Sequence, residues 1–104
     1  MPYFVYILKS EVDGDYYKGS SENPYLRLKQ HNHGEADFTS TKMPWKLVFL
    51  EKFDLKRDAL IREKQIKRWN RTSIENLINS SANLLNLPSF DFDSSEKNYL
   101  GESI

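Results

Sequence analysis

Phe4-Val5-Tyr6-Ile7-Leu8, a turn containing Asp13-Gly14-Asp15, the return Tyr16-Tyr17-Lys18-Gly19-Ser20, and then Arg27 and His31 four residues apart: the reading of this stretch decides the fold. Residues 3–9 alternate and are rich in Tyr, Phe, Val and Ile, side chains that suit a pleated and half-buried surface, so they predict a strand. Residues 15–20 predict its hairpin partner, because Asp13-Gly14 supplies the turn chemistry between them. Asn23 then reads as a helix N-cap and Pro24 as the proline of a first turn, where its missing N–H is not needed. The helix should run to about His33 and stop at Gly34 in the left-handed conformation. Arg27 and His31 share one face of it. Two phenols, a guanidinium and an imidazole carried by one hairpin and one helix can surround a single phosphate.

Farther along, residues 35–44 are loop-like: Asp37, Thr39, Ser40, Thr41 and Pro44 follow no sustained period. Residues 45–53 are apolar at both parities, with Leu47 and Phe49 on one side and Val48 and Leu50 on the other. That pattern predicts a strand interior to a sheet and covered on both faces. Asp54 reads as the N-cap of a second helix over about 55–70, and Thr72 with Glu75 as a capping box opening a short third helix with Ile74, Leu77 and Ile78. Beyond Ser80, Leu84, Leu85 and Leu87 lie among Ser and Asn, which fits a short docked helix near 81–87. Phe90-Asp91-Phe92-Asp93 and a Ser-rich end then read as a loose tail. The expected architecture is α+β, a small three-stranded antiparallel sheet flanked by helices, in one domain over 1–80 followed by a tail over 81–104.

A chain of 104 residues with 38% hydrophobic and 29% charged residues suits one soluble domain with a modest core. It contains no apolar run of the roughly 20 residues needed to span a bilayer, so no membrane partner is expected. Cysteine is absent, which excludes disulfides and thiolate metal sites and suits the cytoplasm. The net charge of zero hides an asymmetry: residues 1–79 carry 14 Lys and Arg against 11 Asp and Glu, whereas 80–104 carry 1 against 4. Lys56, Arg57, Arg62, Lys64, Lys67, Arg68 and Arg71 cluster within 16 residues. Such a cluster either tracks a phosphate backbone or is a solvated helix face, and charge alone favours the second.

Cutting a phosphodiester needs a proton acceptor for the attacking water, a cation aimed at the phosphate and stabilisation of the leaving oxygen. Glu63 is the notable acid. It lies four residues after Ala59 and three before Ile66, on the same helix stripe, and an inward carboxylate is costly unless it is paired or binds a metal. A salt bridge to Arg27 or to a lysine and a metal-ligand role are equally compatible with this spacing. Arg27 suits bidentate phosphate recognition, and otherwise is a surface arginine. Taken alone, His31 reads as a cation at a helix C-terminus and Tyr6 and Tyr17 as ordinary sheet packing. A phenol with its usual pKa of about 10 is a poor base unless neighbouring cations help it ionise. His33 reads as capping or solvent-facing. Gly19 leaves room for close approach by phosphate or by the helix start.

The order of these blocks resembles the GIY-YIG nuclease family. The likeness covers about residues 3–79: Phe4-Val5-Tyr6 and Tyr17-Lys18-Gly19-Ser20, Arg27-Leu28-x-x-His31, Trp45-Lys46-Leu47-Val48, and Ala59 through Lys67. The later blocks are most similar to small stand-alone bacterial members. The chain departs from the family's pattern at Phe4, which stands where the first tripeptide often has glycine though small members vary there, and at Lys18, which replaces the middle residue of the second; Asn70 and Asn76 both remain open as the family's late asparagine. The resemblance implies hydrolysis of DNA phosphodiesters, in repair or recombination, with one divalent ion, Mg2+ or Mn2+. In that reading Glu63 is the metal ligand and Arg27 the phosphate clamp. Tyr17 or Tyr6 is the base or positions the water, and His31 assists. Lys18, Gly19, Lys64, Lys67 and Arg68 are the expected nucleic-acid contacts. Substrate choice then falls to shape, to the 35–44 loop or to a protein partner. The alternative is a non-catalytic nucleic-acid-binding module that keeps the fold. A protein-interaction role for the Phe90–Phe92 segment is a third, less supported reading.

Overall fold

The computed structural model describes residues 2–35 and 37–88. Tyr3–Ser10 forms β1 and Tyr16–Ser21 forms β2, the hairpin expected from the alternating residues, with Tyr6 opposite Gly19 and Leu8 opposite Tyr17. The turn closes on Gly14 at φ +79°, a left-handed angle that a side chain rarely adopts. α1 spans Pro24–Asn32; Asn23 caps it by accepting from the Leu26 amide, and Gly34 at φ +73° follows its end. β3 (Trp45–Phe53), α3 (Lys56–Ile66) and α4 (Arg71–Ile78) follow, and a single 3-10 turn covers Leu84–Asn86. The architecture is α+β: one antiparallel sheet of order β2-β1-β3 with helices on both faces.

Two apolar layers sandwich the sheet. Tyr6, Leu8, Tyr25, Trp45, Leu47 and Leu50 form the layer on the α1 side. Val5, Ile7, Phe49, Ala59, Ile66, Ile74 and Leu77 form the layer under α3 and α4. All four apolar residues Val5–Leu8 are buried because β1, the central strand, is covered on both faces.

Several local expectations give way to the fold. β3 is an edge strand, not an interior one, although it is covered on both faces. Its free edge is closed by one side chain. Asn83, 1% exposed, accepts from the amides of Leu50 and Leu85 and donates to the carbonyls of Val48 (2.9 Å) and Ile78 (2.8 Å). An amide group presents a donor and an acceptor as a neighbouring strand would, which leaves that stretch of edge unavailable to another chain. The expected alternation in β3 also fails. A register shift opposite Ile7 and Leu8 makes Val48 an extra residue, so that Val48 and Phe49 both face α3 and α4 while Leu47 and Leu50 face α1.

Residues 37–40 form one helical turn, α2, within the stretch read as irregular. Asp54 does not cap α3. Leu55 holds that position without a side-chain bond, and the helix ends at Ile66 rather than near 70. α4 is capped by Asn70, which accepts from the Ser73 amide at 2.8 Å; Thr72 therefore lies inside the helix and makes no capping box with Glu75. Phe90–Asp93 and the remainder of the tail lie outside the described residues. Among the described residues no helix is long and apolar enough to cross a membrane.

Candidate active site at the β2 edge

The hairpin register and α1 bring Tyr6, Tyr17 and His31 together on one face of the sheet. The rings of Tyr17 and His31 lie 4.6 Å apart, Tyr6 and Tyr17 6.3 Å, and Tyr6 and His31 6.4 Å. Tyr6 is 1% exposed, and its phenol stands 3.5 Å from His31 Nε2. Burial pushes this phenol up to about 12, against a lowering hydrogen bond from Arg27, with the charges of Tyr17 and Glu63 adding to the rise. Tyr6 is therefore a neutral hydroxyl at pH 7.

His31 departs from the helix C-terminal cation that it reads as when taken alone. It is 1% exposed, and burial together with the nearby Arg27 charge pulls it down from 6.5 to about 4. The imidazole is neutral at pH 7 and serves as a hydrogen-bonding group, not as a positive charge answering the helix dipole. Its Nδ1 lies 2.8 Å from Thr39 Oγ1. His33 sits at the C-cap of α1 and is exposed. Arg27, half-buried on the same helix, donates to Gln30 Oε1 at 2.7 Å, which holds its guanidinium beside the phenol.

Glu63 comes from the opposite face of the sheet. Ala59 and Ile66 on its stripe are fully buried, while the Glu63 side chain keeps 16% exposure. Its Oε1 accepts from Ser20 Oγ at 2.5 Å and its Oε2 pairs with Lys67 Nζ at 2.7 Å. The two halves of the site meet through adjacent residues of β2. A Cβ on Gly19 would stand 2.6 Å from the Tyr6 hydroxyl and 2.7 Å from Cζ, so the bare backbone there accommodates the Tyr6 ring. The room expected for a phosphate is taken by the phenol. One residue on, Ser20 holds Glu63.

The basic cluster is largely committed within the molecule. Lys56 sits over Tyr3, Arg57 pairs with Asp58, Arg62 with Glu51 and the Trp69 ring, and Arg71 with Glu75 and the Tyr16 ring. Lys67, expected to meet nucleic acid, neutralises Glu63 from one helical turn away. Lys64 and Arg68 are exposed and line a groove with Ile61, Gln65 and Trp69 on the outer side of α3. Lys18 pairs with Ile7 and so faces the α3 side, away from Tyr17. Asn70 is spent as a cap and Asn76 is exposed.

No cluster of three or more His, Asp or Glu side chains exists among the described residues. A single partly open carboxylate fits a hard cation that keeps most of its waters and takes further oxygens from a phosphate, provided Lys67 releases Oε2. Ser20, Thr39 and Gln30 escaped the sequence reading. Each is a neutral polar side chain with no periodic signal of its own, and each matters only through the partner that the fold gives it.

A family model described as the GIY-YIG catalytic domain matches residues 2–79. A UPF0213 protein of Staphylococcus saprophyticus is 39% identical over 70 residues, covering 66% of this chain and 84% of its own length, and one from Staphylococcus aureus matches to the same extent. The solution NMR structure of a UPF0213 protein from Bacillus halodurans superposes with a TM-score of 0.52 at 31% identity, over 79% of this chain and 87% of that one. The matched region takes in the hairpin, the sheet and every helix that carries Tyr6, Tyr17, Arg27, His31 and Glu63, and on that footing the chain belongs to the GIY-YIG family of nucleases.

Proposed function

We propose that this protein is a metal-dependent endonuclease that hydrolyses phosphodiester bonds in DNA, working in the cytoplasm on repair or recombination intermediates. The observation that carries the reading is the meeting at Gly19 and Ser20 of a phenol–imidazole–guanidinium cluster with a partly exposed carboxylate. In this reading Arg27 binds a phosphoryl oxygen and stabilises charge as it develops. Tyr6, protonated in the resting protein, holds the position of Arg27 and His31 around the reacting group. Tyr17 lies against His31 in the same cluster. Glu63 would hold Mg2+ or Mn2+, which supplies Lewis-acid stabilisation and an acidified water when bound. Lys64 and Arg68, exposed on α3, would contact the nucleic-acid backbone.

One observation favours the second reading, a nucleic-acid-binding module without catalysis: both Glu63 oxygens already have partners. The test is incubation of wild type, Glu63→Gln, Tyr6→Phe and Tyr17→Phe with single-stranded, duplex and branched DNA, in Mg2+, Mn2+ or chelator. Metal-dependent cleavage lost in Glu63→Gln supports the enzyme. A phenol whose removal lowers kcat by about 100-fold or above acts at the reacting group. Cleavage that survives Glu63→Gln overturns the site, and binding without cleavage of any substrate selects the second reading.

A further inference from the structure

Thr39 comes from the stretch that looked featureless, yet it is fully buried and its hydroxyl lies 2.8 Å from His31 Nδ1. Its own carbonyl accepts from the Trp45 indole at 3.0 Å and from the Lys42 amide at 3.2 Å. The Trp45 ring in turn packs 6.3 Å from Tyr17. α2 is therefore fastened at both its main chain and its Thr39 side chain, and its fixed hydroxyl meets the one imidazole nitrogen that does not face Tyr6.

We infer that Thr39 is a positioning residue that selects the Nδ1–H tautomer of His31, so that Nε2 presents a lone pair to the Tyr6 hydroxyl. The direction follows from the acidity of the two hydroxyls that meet the ring: a phenol is the stronger donor and the weaker acceptor, and an aliphatic hydroxyl the reverse. The phenol proton therefore points at His31 Nε2, 3.5 Å away. A neutral imidazole that accepts at Nε2 carries its proton on Nδ1, and Nδ1 donates to Thr39 Oγ1. The bonds run in one direction, Tyr6 to His31 to Thr39. With the Tyr6 proton turned inward, the phenol oxygen keeps its lone pairs for the neighbouring Arg27 guanidinium and for the proton of an attacking water, and it offers no proton to a bound phosphate. Only this catalytic consequence rests on the nuclease reading; the tautomer itself does not.

The experiment is nitrogen-15 NMR of the two imidazoles in the metal-free full chain at pH 7, with His31→Gln to assign the signals and exposed His33 as the internal reference. Wild type and Thr39→Ser should show His31 protonated at Nδ1. Thr39→Val, of nearly the same shape but without the hydroxyl, should shift His31 toward the Nε2–H form. In a cleavage assay Thr39→Val should lower kcat by about tenfold or more at unchanged KM, with Thr39→Ser restoring it. A wild-type His31 protonated at Nε2 overturns the inference whatever the variants do, and so does a Thr39→Val spectrum identical to wild type in a folded protein. If no DNA is cleaved by wild type, the nuclease reading falls while the tautomer result still decides the role of Thr39.

Discussion

Replacing Gly19 with alanine sets two physical effects of opposite sign against each other. The backbone at Gly19 is not left-handed, so alanine can adopt it, and the loss of freedom in the unfolded chain should by itself stabilise the protein by about 0.4–1 kcal/mol. The new methyl, however, would stand 2.6 Å from the Tyr6 hydroxyl, 2.7 Å from Cζ and 3.1 Å from Cε2, where carbon contacts are comfortable only at about 3.5–4.0 Å. Relief requires a shift of about 1 Å. The Tyr6 ring cannot readily supply it, being 1% exposed and packed in the layer with Leu8, Tyr25, Trp45 and Leu50. Overpacking of this kind costs about 1–3 kcal/mol, so the net effect should be destabilising by about 1–2 kcal/mol. In the nuclease reading a 1 Å displacement of the phenol should also lower cleavage by about 100-fold. Urea unfolding of wild type, Gly19→Ala, Tyr6→Leu and the double variant measures the clash directly, because the Gly19→Ala penalty should vanish once the ring is gone. A Gly19→Ala protein as stable as wild type, with unchanged cleavage, would refute the argument that Gly19 exists to seat Tyr6.

Asn83→Ala removes four hydrogen bonds of a buried side chain at the β3 edge and should cost about 2–4 kcal/mol in urea unfolding, far more than the exposed Asn76→Ala. Lys67→Met should change stability by less than about 1 kcal/mol, since the pair is half-exposed on the lysine side. It should nevertheless lower the Mg2+ concentration giving half-maximal cleavage, because Glu63 Oε2 is released; an unchanged Mg2+ requirement would count against Glu63 as the ligand. The pH dependence of stability should carry a His31 signature. Its folded pKa lies near 4, below the ordinary 6.5, so between those values the unfolded chain binds the extra proton. Stability from this group is fully present above about pH 6.5 and is lost as pH falls toward 4, by at most about 1.4 kcal/mol per pH unit. Unfolding of His31→Gln between pH 7 and pH 4 should have the shallower slope; equal slopes would show that His31 takes up its proton alike in the folded and unfolded chain.

The hairpin, the first helix and its two ends were legible in the chain because each is written over a few neighbouring residues: alternation in 3–9, a Gly turn, Asn23-Pro24 ahead and Gly34 behind. The placement of Arg27 and His31 on one helix face is likewise a matter of spacing. Where the local signal was ambiguous, the fold chose differently. Thr72 has the chemistry of a cap, but Asn70 starts the helix two residues earlier and takes the role. Val48 breaks the alternation of β3 through a bulge that only the pairing with β1 reveals.

What the sequence by itself determined is thus the set of elements and the family of side chains: two strand tyrosines, a helix arginine and histidine, and an acid on an apolar stripe. Tertiary structure alone decided what each of them touches. Ser20 and Glu63 are separated by 43 residues, and Asn83 reaches Val48 across 35. His31 meets Thr39 only because α2 is fastened through Trp45. Periodicity and capping act over one turn or one pleat and leave a trace in the residues nearby, whereas strand order, burial and the partner of a polar side chain are set by how two layers pack across a sheet. Those choices turned an imidazole that reads alone as a helix-end cation into a buried neutral one, and made a glycine expected to admit a phosphate or the helix start the seat of a tyrosine.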